Sequence, residues 1–275
     1  MQFKSVAHII IGLTLSAPAY AETSTLIRLT DREDLFGWEA VGRIDMAQGG
    51  YCTGVLISND LVLTAAHCVF NQRTGALMAP EDFTFKAGLR DGKTIETHKG
   101  LRVVAHKSYD PNAGTSQKNI RHDVALIQLN ASITSFAAAP FKLHSGATKG
   151  KQVSVVSYGQ GRDDALSWQR KCSVLARNDG LMAFDCNVTF GSSGAPVFAK
   201  EGIHTRILSL VSSGGQSNGK TLSFGMELPK IVARLKKDLH YALASKIKAP
   251  RPKVRMLKVG FGRNATGAKF IKSRP

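Results

Sequence analysis

The sequence predicts an all-β protein, either a sandwich or a pair of barrels, that ends in one surface helix. Short apolar runs rich in β-branched residues recur between turn signals, which is typical of a chain of many short strands. Near the C-terminus the apolar period changes to four residues, which indicates a helix. Examples of the strand-like runs are Val55–Ile57, Leu61–Leu63, Val124–Leu129, Val153–Val156 and Ile207–Val211.

The composition is that of a folded domain. Of 275 residues, 43% are hydrophobic and 21% are charged, so a disordered, collagen-like or coiled-coil chain is not expected. The net charge of +17, if spread evenly, would indicate a protein that binds nucleic acid or an anionic surface. However, residues 230–275 hold 14 Lys and Arg against one acid, whereas residues 22–229 carry a net charge of only +3. The sequence therefore predicts a nearly neutral body with a basic tail.

Residues 1–21 have the pattern of a signal peptide. An apolar run extends from Val6 to Leu15, and Ala19 and Ala21 fit the small-residue rule for cleavage before Glu22. The run is too short to span a bilayer, which disfavours a membrane anchor. We expect an exported protein, periplasmic or secreted, with no transmembrane segment in the mature chain. An oxidising compartment would let the four cysteines form disulfides, in any of three pairings.

The mature chain is predicted to contain two β halves and then the helix. Asn59-Asp60 fits a hairpin turn between two of the runs, and residues 131–150 fit a connection between the halves. The helix starts near Pro229 and ends before Pro250, and we expect it to dock on a barrel rather than enter a membrane. Residues 248–275 are rich in Pro, Gly, Lys and Arg, so we expect a mobile tail. The apolar face of the helix consists of Ile231, Leu235, Leu239, Leu243 and Ile247.

Three local motifs carry candidate chemistry. His67 ends an apolar strand beside a cysteine, Asp123 precedes another apolar strand, and Ser193 lies in a Gly-Ser-Ser-Gly turn. Each motif alone is usually structural: a packed histidine, a cap or a turn. Metal binding is not expected, because Cys52, His67 and Cys68 lack the paired Cys-x-x-Cys spacing of zinc sites, and no cofactor is implied.

The ordered set resembles the chymotrypsin-like (trypsin-fold) serine peptidases, in their bacterial-type branch, over roughly residues 28–245. The resemblance implies two six-stranded antiparallel β-barrels with a C-terminal helix. It places His67 and Asp123 in the first barrel (22–135), the serine and the specificity pocket in the second (136–228), and the helix at 229–247.

The resemblance also implies the role of each residue. A serine hydroxyl is a poor nucleophile at neutral pH, so His67 would take the proton of Ser193, and Asp123 would orient the imidazole. The N–H groups of Gly191 and Ser193 would form the oxyanion hole. The resemblance favours a Cys52–Cys68 disulfide, which leaves Cys172 and Cys186 as the second pair.

The sequence departs from the family at the zymogen switch. Members activated by cleavage have an Asp just before the catalytic Ser and a new Ile-Val-Gly-Gly terminus, whereas this chain has Ser192 and the stretch Trp38–Ile44 at those places. Because both halves of the switch are missing, we predict activity without N-terminal activation cleavage.

The specificity pocket lacks the acid that selects Arg and Lys, since Asn187 occupies that position. Thr189 replaces a cysteine, and Val211 stands where Glu-specific relatives have a histidine. We therefore expect a preference for small or neutral side chains. The expected pocket residues are Asn187, Ser212, Gly214 and Gly225.

These observations predict an exported, monomeric serine endopeptidase that acts on protein or peptide substrates. One alternative is a catalytically silent homologue that binds an anionic surface through residues 248–275, and another is an esterase-like hydrolase. Nucleic acid is not an expected partner, because Phe261 and Phe270 are the only aromatic residues of the tail.

Overall fold

A computed structural model describes residues 24–145, 152–217 and 220–247. The predicted signal peptide (1–21) and basic tail (248–275) lie outside these residues. The described chain contains fourteen strands and two α-helices, α1 (Gln117–Ile120) and α2 (Pro229–Ile247). The strands are β1 (Leu26–Arg28), β2 (Val41–Met46), β3 (Tyr51–Ser58), β4 (Leu61–Thr64), β5 (Phe83–Ala87), β6 (Glu96–Ala105), β7 (Ala125–Leu129), β8 (Gln152–Gly159), β9 (Arg162–Asn178), β10 (Leu181–Phe184), β11 (Pro196–Glu201), β12 (His204–Leu210), β13 (Ser213–Ser217) and β14 (Lys220–Met226).

The first half is a closed barrel of six antiparallel strands in the order β2-β3-β4-β7-β6-β5. Asn59-Asp60 joins β3 to β4, where Val55 pairs with Leu63, as the hairpin prediction requires. The interior is apolar because alternate residues of each strand point inward, as the buried Phe83 and Phe85 of β5 do. This arrangement confirms the predicted all-β barrel.

The second half is an eight-stranded sheet that includes one strand from the start of the chain. Its order is β12-β11-β8-β9-β10-β14-β13, and β1 pairs with the long strand β9. The mostly β double-barrel fold with a C-terminal helix is therefore confirmed. The addition of β1 was not predicted, because a three-residue strand has too few residues to show a period.

The two halves share one apolar core. Val55 and Leu63 of the first barrel belong to the same buried cluster as Tyr158, Phe198 and Leu210 of the second half. The predicted connection contributes as well, since Ile133 and Ala138 are fully buried and Leu143 forms a bridge with Ile207. The halves are thus packed together along the cleft that holds the candidate site.

Helix α2 docks on this shared core. Val232, Leu235 and Leu239 are buried, whereas Lys236 and Lys237 are exposed. This agrees with a surface helix, and within the described residues no helix is long and apolar enough to cross a membrane. The other predicted face positions are Ile231, which is partly buried, and Leu243 and Ile247, whose side chains lie outside the described set.

Candidate active site

The three candidate catalytic residues line one cleft. His67, Asp123 and Ser193 all border a cavity of about 810 Å³ between the two halves. His67 and Ser193 also border a second cavity of about 850 Å³, which Cys68 and Gly191 line as well. Both cavities therefore reach the candidate catalytic residues.

His67 lies in a short 3₁₀ turn (Ala66–Val69) immediately after β4. The Cys52–Cys68 disulfide ties this turn to β3, as the resemblance implies. The His67 backbone N–H donates to Asp123 Oδ1 at 2.8 Å, and its Nδ1 lies 2.7 Å from Asp123 Oδ2. Because Asp123 accepts a hydrogen bond from Nδ1–H, the neutral imidazole of His67 carries its proton on Nδ1. Its Nε2 is then unprotonated.

Asp123 is a buried carboxylate, with a side chain only 4% exposed. It also accepts a hydrogen bond from Ser212 Oγ at 2.6 Å. The sequence had assigned Ser212 only to the pocket wall. Its contact with Asp123 could not be foreseen because the two residues are 89 positions apart and neither flanking sequence marks the pairing.

The pKa of His67 reflects two opposing effects. Burial lowers it, but the charge of Asp123 and its hydrogen bond outweigh burial, so the pKa lies above the ordinary 6.5. The His67 side chain is nevertheless 26% exposed, so its ring reaches the cleft. The arrangement therefore stabilises the imidazolium, which is the form a general base takes after it accepts a proton.

Two glycines in left-handed conformations shape the turn around Ser193, namely Gly191 (φ 84°) and Gly194 (φ 76°). A Cβ at Gly191 would lie 2.2 Å from the Tyr51 ring, and one at Gly194 would lie 2.4 Å from the Thr53 carbonyl oxygen. Any other residue at either position would both strain the backbone and clash. The sequence motif therefore encodes a tight loop packed against β3.

This loop leaves two backbone donors free. Within the described residues, the N–H groups of Gly191 and Ser193 donate to no protein acceptor. The Phe190 carbonyl accepts from the Gln160 N–H at 2.7 Å, and in a trans peptide the Gly191 N–H points the opposite way. Two such donors beside a serine are the groups that the resemblance assigns to an oxyanion hole.

Three of the four expected pocket residues line the cleft. Asn187, Ser212 and Gly214 border the 810 Å³ cavity, whereas Gly225 is not among its lining residues. Gly225 lies in β14, where a Cβ would meet the Leu210 carbonyl oxygen at 2.0 Å, so it serves the close packing of strands. Further lining residues are Val188, Thr189, Ser213, Gln216 and Thr221. Among the lining residues that the structure describes, Asp123 is the only carboxylate.

Ser192 is fully buried, and the two groups that it bonds to directly are neutral. Its Oγ bonds to Ser157 Oγ at 3.2 Å and accepts from the Thr189 N–H at 3.3 Å. Ser157 in turn accepts from the Arg162 guanidinium at 3.3 Å. The stretch Trp38–Ile44, which corresponds in sequence to the zymogen terminus, includes the first four residues of strand β2.

The second disulfide joins Cys172 of β9 to Cys186, which follows β10 on the way to the serine loop. Cys52, His67 and Cys68 place potential ligand atoms within 4.8 Å of one another. They do not form a metal-ligand set, because both sulfurs belong to the disulfide and no thiolate is available.

Comparison with known proteins agrees with this geometry. A family model described as "Trypsin-like peptidase domain" matches residues 52–203. A collagenase from Hypoderma lineatum is 23% identical, with 75% of this chain and 87% of that protein covered. A glutamyl endopeptidase from Bacillus licheniformis is 22% identical, with 62% of this chain and only 52% of that protein covered.

The fold agrees as well. A solved Glu endopeptidase superposes with a TM-score of 0.64 at 18% identity, over 80% of this chain and 97% of that one. The family model spans more than half of the chain and includes His67, Asp123 and Ser193. The chain therefore belongs to the trypsin-like serine peptidase family, and it is a hydrolase.

Proposed function

We propose that this chain is an exported serine endopeptidase that cleaves peptide bonds through Ser193, His67 and Asp123. The observation that carries the proposal is the 2.7 Å contact between His67 Nδ1 and the buried Asp123, in a cleft that Ser193 also lines. The assignment draws on the serine, histidine and aspartate mechanism established for such peptidases.

Acylation begins when Ser193 Oγ attacks the carbonyl carbon of the scissile bond. His67 Nε2 takes the hydroxyl proton, and Asp123 stabilises the imidazolium that results. The oxyanion accepts hydrogen bonds from the N–H groups of Gly191 and Ser193. When the C–N bond breaks, the amine leaves with the proton from His67 and the acyl group remains on Ser193.

Deacylation repeats these steps with water as the nucleophile. His67 Nε2 takes a proton from the attacking water, and the second tetrahedral intermediate uses the same two N–H donors. Collapse breaks the ester bond, His67 returns the proton to Ser193 Oγ, and the new carboxyl terminus leaves.

The pocket chemistry supports a preference for small or neutral side chains. Apart from His67 and Asp123, its polar side chains carry hydroxyl and amide groups, and Asp123 is already engaged by His67 and Ser212. A buried Arg or Lys would therefore have no free carboxylate partner there. A peptide-library cleavage profile tests this, and preferred cleavage after Arg or Lys would refute it.

Two observations support activity without N-terminal cleavage. The buried Ser192 carries no charge that would need a terminal amine, and Val41 and Ile44 are fully buried in strand β2, where they cannot act as a free terminus. The serine loop is instead held by hydroxyl and backbone hydrogen bonds within the folded chain.

Export and attachment are supported by separate features. Two disulfides suit an oxidising compartment, and the signal-like residues 1–21 provide a route to it. The basic tail (248–275) would hold the enzyme at an anionic surface. Truncation before residue 248 should reduce retention on heparin at low salt, and unchanged retention would refute a docking role.

Assays with a protein substrate and with a simple ester distinguish a peptidase from an esterase. Residues 22–275 should hydrolyse casein as well as p-nitrophenyl acetate, and Ser193→Ala should lose both activities. Hydrolysis of the ester without hydrolysis of casein would favour an esterase. Loss of neither activity in Ser193→Ala would exclude Ser193 as the nucleophile.

A further inference from the structure

Thr53 is a fully buried polar residue that the mechanism above does not use. It lies in β3 of the first barrel, next to the disulfide-bonded Cys52, yet its hydrogen bonds reach into the second half. Its Oγ1 donates to the Gly191 carbonyl at 2.9 Å and accepts from the Tyr158 N–H at 3.0 Å. Its own N–H donates to the Ser193 carbonyl at 2.9 Å.

Thr53 therefore contacts both residues whose N–H groups would bind the oxyanion. The restraint matters most at Gly191, because a glycine rotates more freely than any other residue. The Phe190 carbonyl is held by the Gln160 N–H, so with the Thr53 hydroxyl the peptides on both sides of the Gly191 Cα are fixed.

Thr53 is itself held firmly. Its carbonyl accepts from Thr64 Oγ1 at 2.9 Å, and its β-branched side chain is stiff at χ1. The Gly191–Ser192 peptide is held at two points. The Ser192 N–H donates to the Thr189 carbonyl at 3.0 Å, and the Gly191 carbonyl accepts from the Thr53 hydroxyl. A backbone N–H alone, as any residue at position 53 would supply, would restrain Ser193 and leave the Gly191 carbonyl without this hydroxyl donor.

We propose that the Thr53 hydroxyl is a positioning group that holds the Gly191 carbonyl so that the Gly191 N–H faces the substrate oxyanion. This inference rests on the proposed serine-peptidase function. Thr53 does not need to touch the substrate, because it acts through the loop that contains Gly191 and Ser193.

Acylation by p-nitrophenyl acetate tests the proposal, measured as the burst of nitrophenolate. Thr53→Val keeps the shape of the side chain and removes the hydroxyl, so the acylation rate at saturation should fall about 10- to 100-fold. The half-saturating ester concentration should change little, because the bound ester does not depend on the oxyanion hole before it reacts. Thr53→Ser should restore most of the rate, and the pH midpoint should not move, because His67 and Asp123 are untouched.

Ser209→Ala is the matched control for loss of a buried hydroxyl. Ser209 Oγ donates to the Met226 carbonyl at 2.8 Å and accepts from the Met226 N–H at 2.9 Å, and Ser209 lines neither cavity. Both variants should lose stability in thermal melts, but only Thr53→Val should lose acylation rate. If Thr53→Val does not fold, Thr53→Ala replaces it with the same expectation.

A hydroxyl-deleted variant that acylates as fast as Ser209→Ala would overturn the proposal and leave Thr53 a packing residue. A wild-type chain that neither releases nitrophenolate nor hydrolyses casein would overturn the proposed function, and this inference would fall with it.

Discussion

His67 shows how one residue is tuned by its neighbours. Burial alone would favour the neutral imidazole, but the nearby Asp123 carboxylate reverses that preference. The sequence predicts His67, Asp123 and Ser193 as catalytic candidates because each lies in a recognisable local pattern, and all three line one cleft. It could not show the hydrogen bonds of Ser212 or Thr53, since their partners lie far away in the chain.

The pH dependence of acylation should follow His67. The base must be neutral to accept a proton, so activity should rise with pH through a midpoint above 6.5, in the direction of the raised pKa. Asp123→Asn removes the carboxylate charge that raises the pKa of His67 and leaves the effect of burial, so the midpoint should move down. The same variant should lower kcat by about 10,000-fold, because the orienting carboxylate is lost.

A pH–rate profile of kcat/KM for wild type and Asp123→Asn measures both effects. Ser209→Ala, which lies outside the cleft, provides the control. An unchanged midpoint in Asp123→Asn would show that another group sets the profile.

At the scale of elements, periodic segments were predictable and irregular ones were not. The apolar face of α2 and the hairpin at Asn59-Asp60 follow from local patterns of burial and turn chemistry. Strand β9 runs for 17 residues and pairs with β1, β8 and β10. This pairing depends on tertiary contacts between distant parts of the chain. A local hydrophobic period cannot predict it.

Helix α2 should contribute stability rather than catalysis. Leu235 is fully buried against the core, so Leu235→Ala should lower the free energy of unfolding by about 2 to 5 kcal/mol. Urea unfolding measures this change, and the neighbouring exposed Lys236→Ala should have little effect. Equal effects of the two substitutions would contradict the docking of α2.

At the scale of the whole molecule, two halves meet at one cleft, and both contribute candidate catalytic residues to it. The first barrel places His67 and Asp123 in the lining, and the second half places Ser193 there. The sequence predicted this division only through the family resemblance, because composition and net charge describe the chain as a whole. The basic tail (248–275) bears on where the enzyme is held and not on the reaction.

Activity should not depend on a new N-terminus. A chain with extra residues before Glu22 should hydrolyse casein at the same rate as one that starts at Glu22, because no amine is needed beside the neutral Ser192. Intact-mass measurement before and after the assay shows whether trimming occurs. Activity that appears only after trimming would contradict this account.

Covalent labelling is the sharpest test of our proposal that Ser193 is the nucleophile of a preformed site. Folded residues 22–275 are treated with diisopropyl fluorophosphate, and the adduct is located by mass spectrometry of the digested chain. The account predicts one adduct, on Ser193, which is absent from Ser193→Ala and from denatured protein. A folded wild-type chain with no adduct, or with an adduct on Ser192 in place of Ser193, would contradict it.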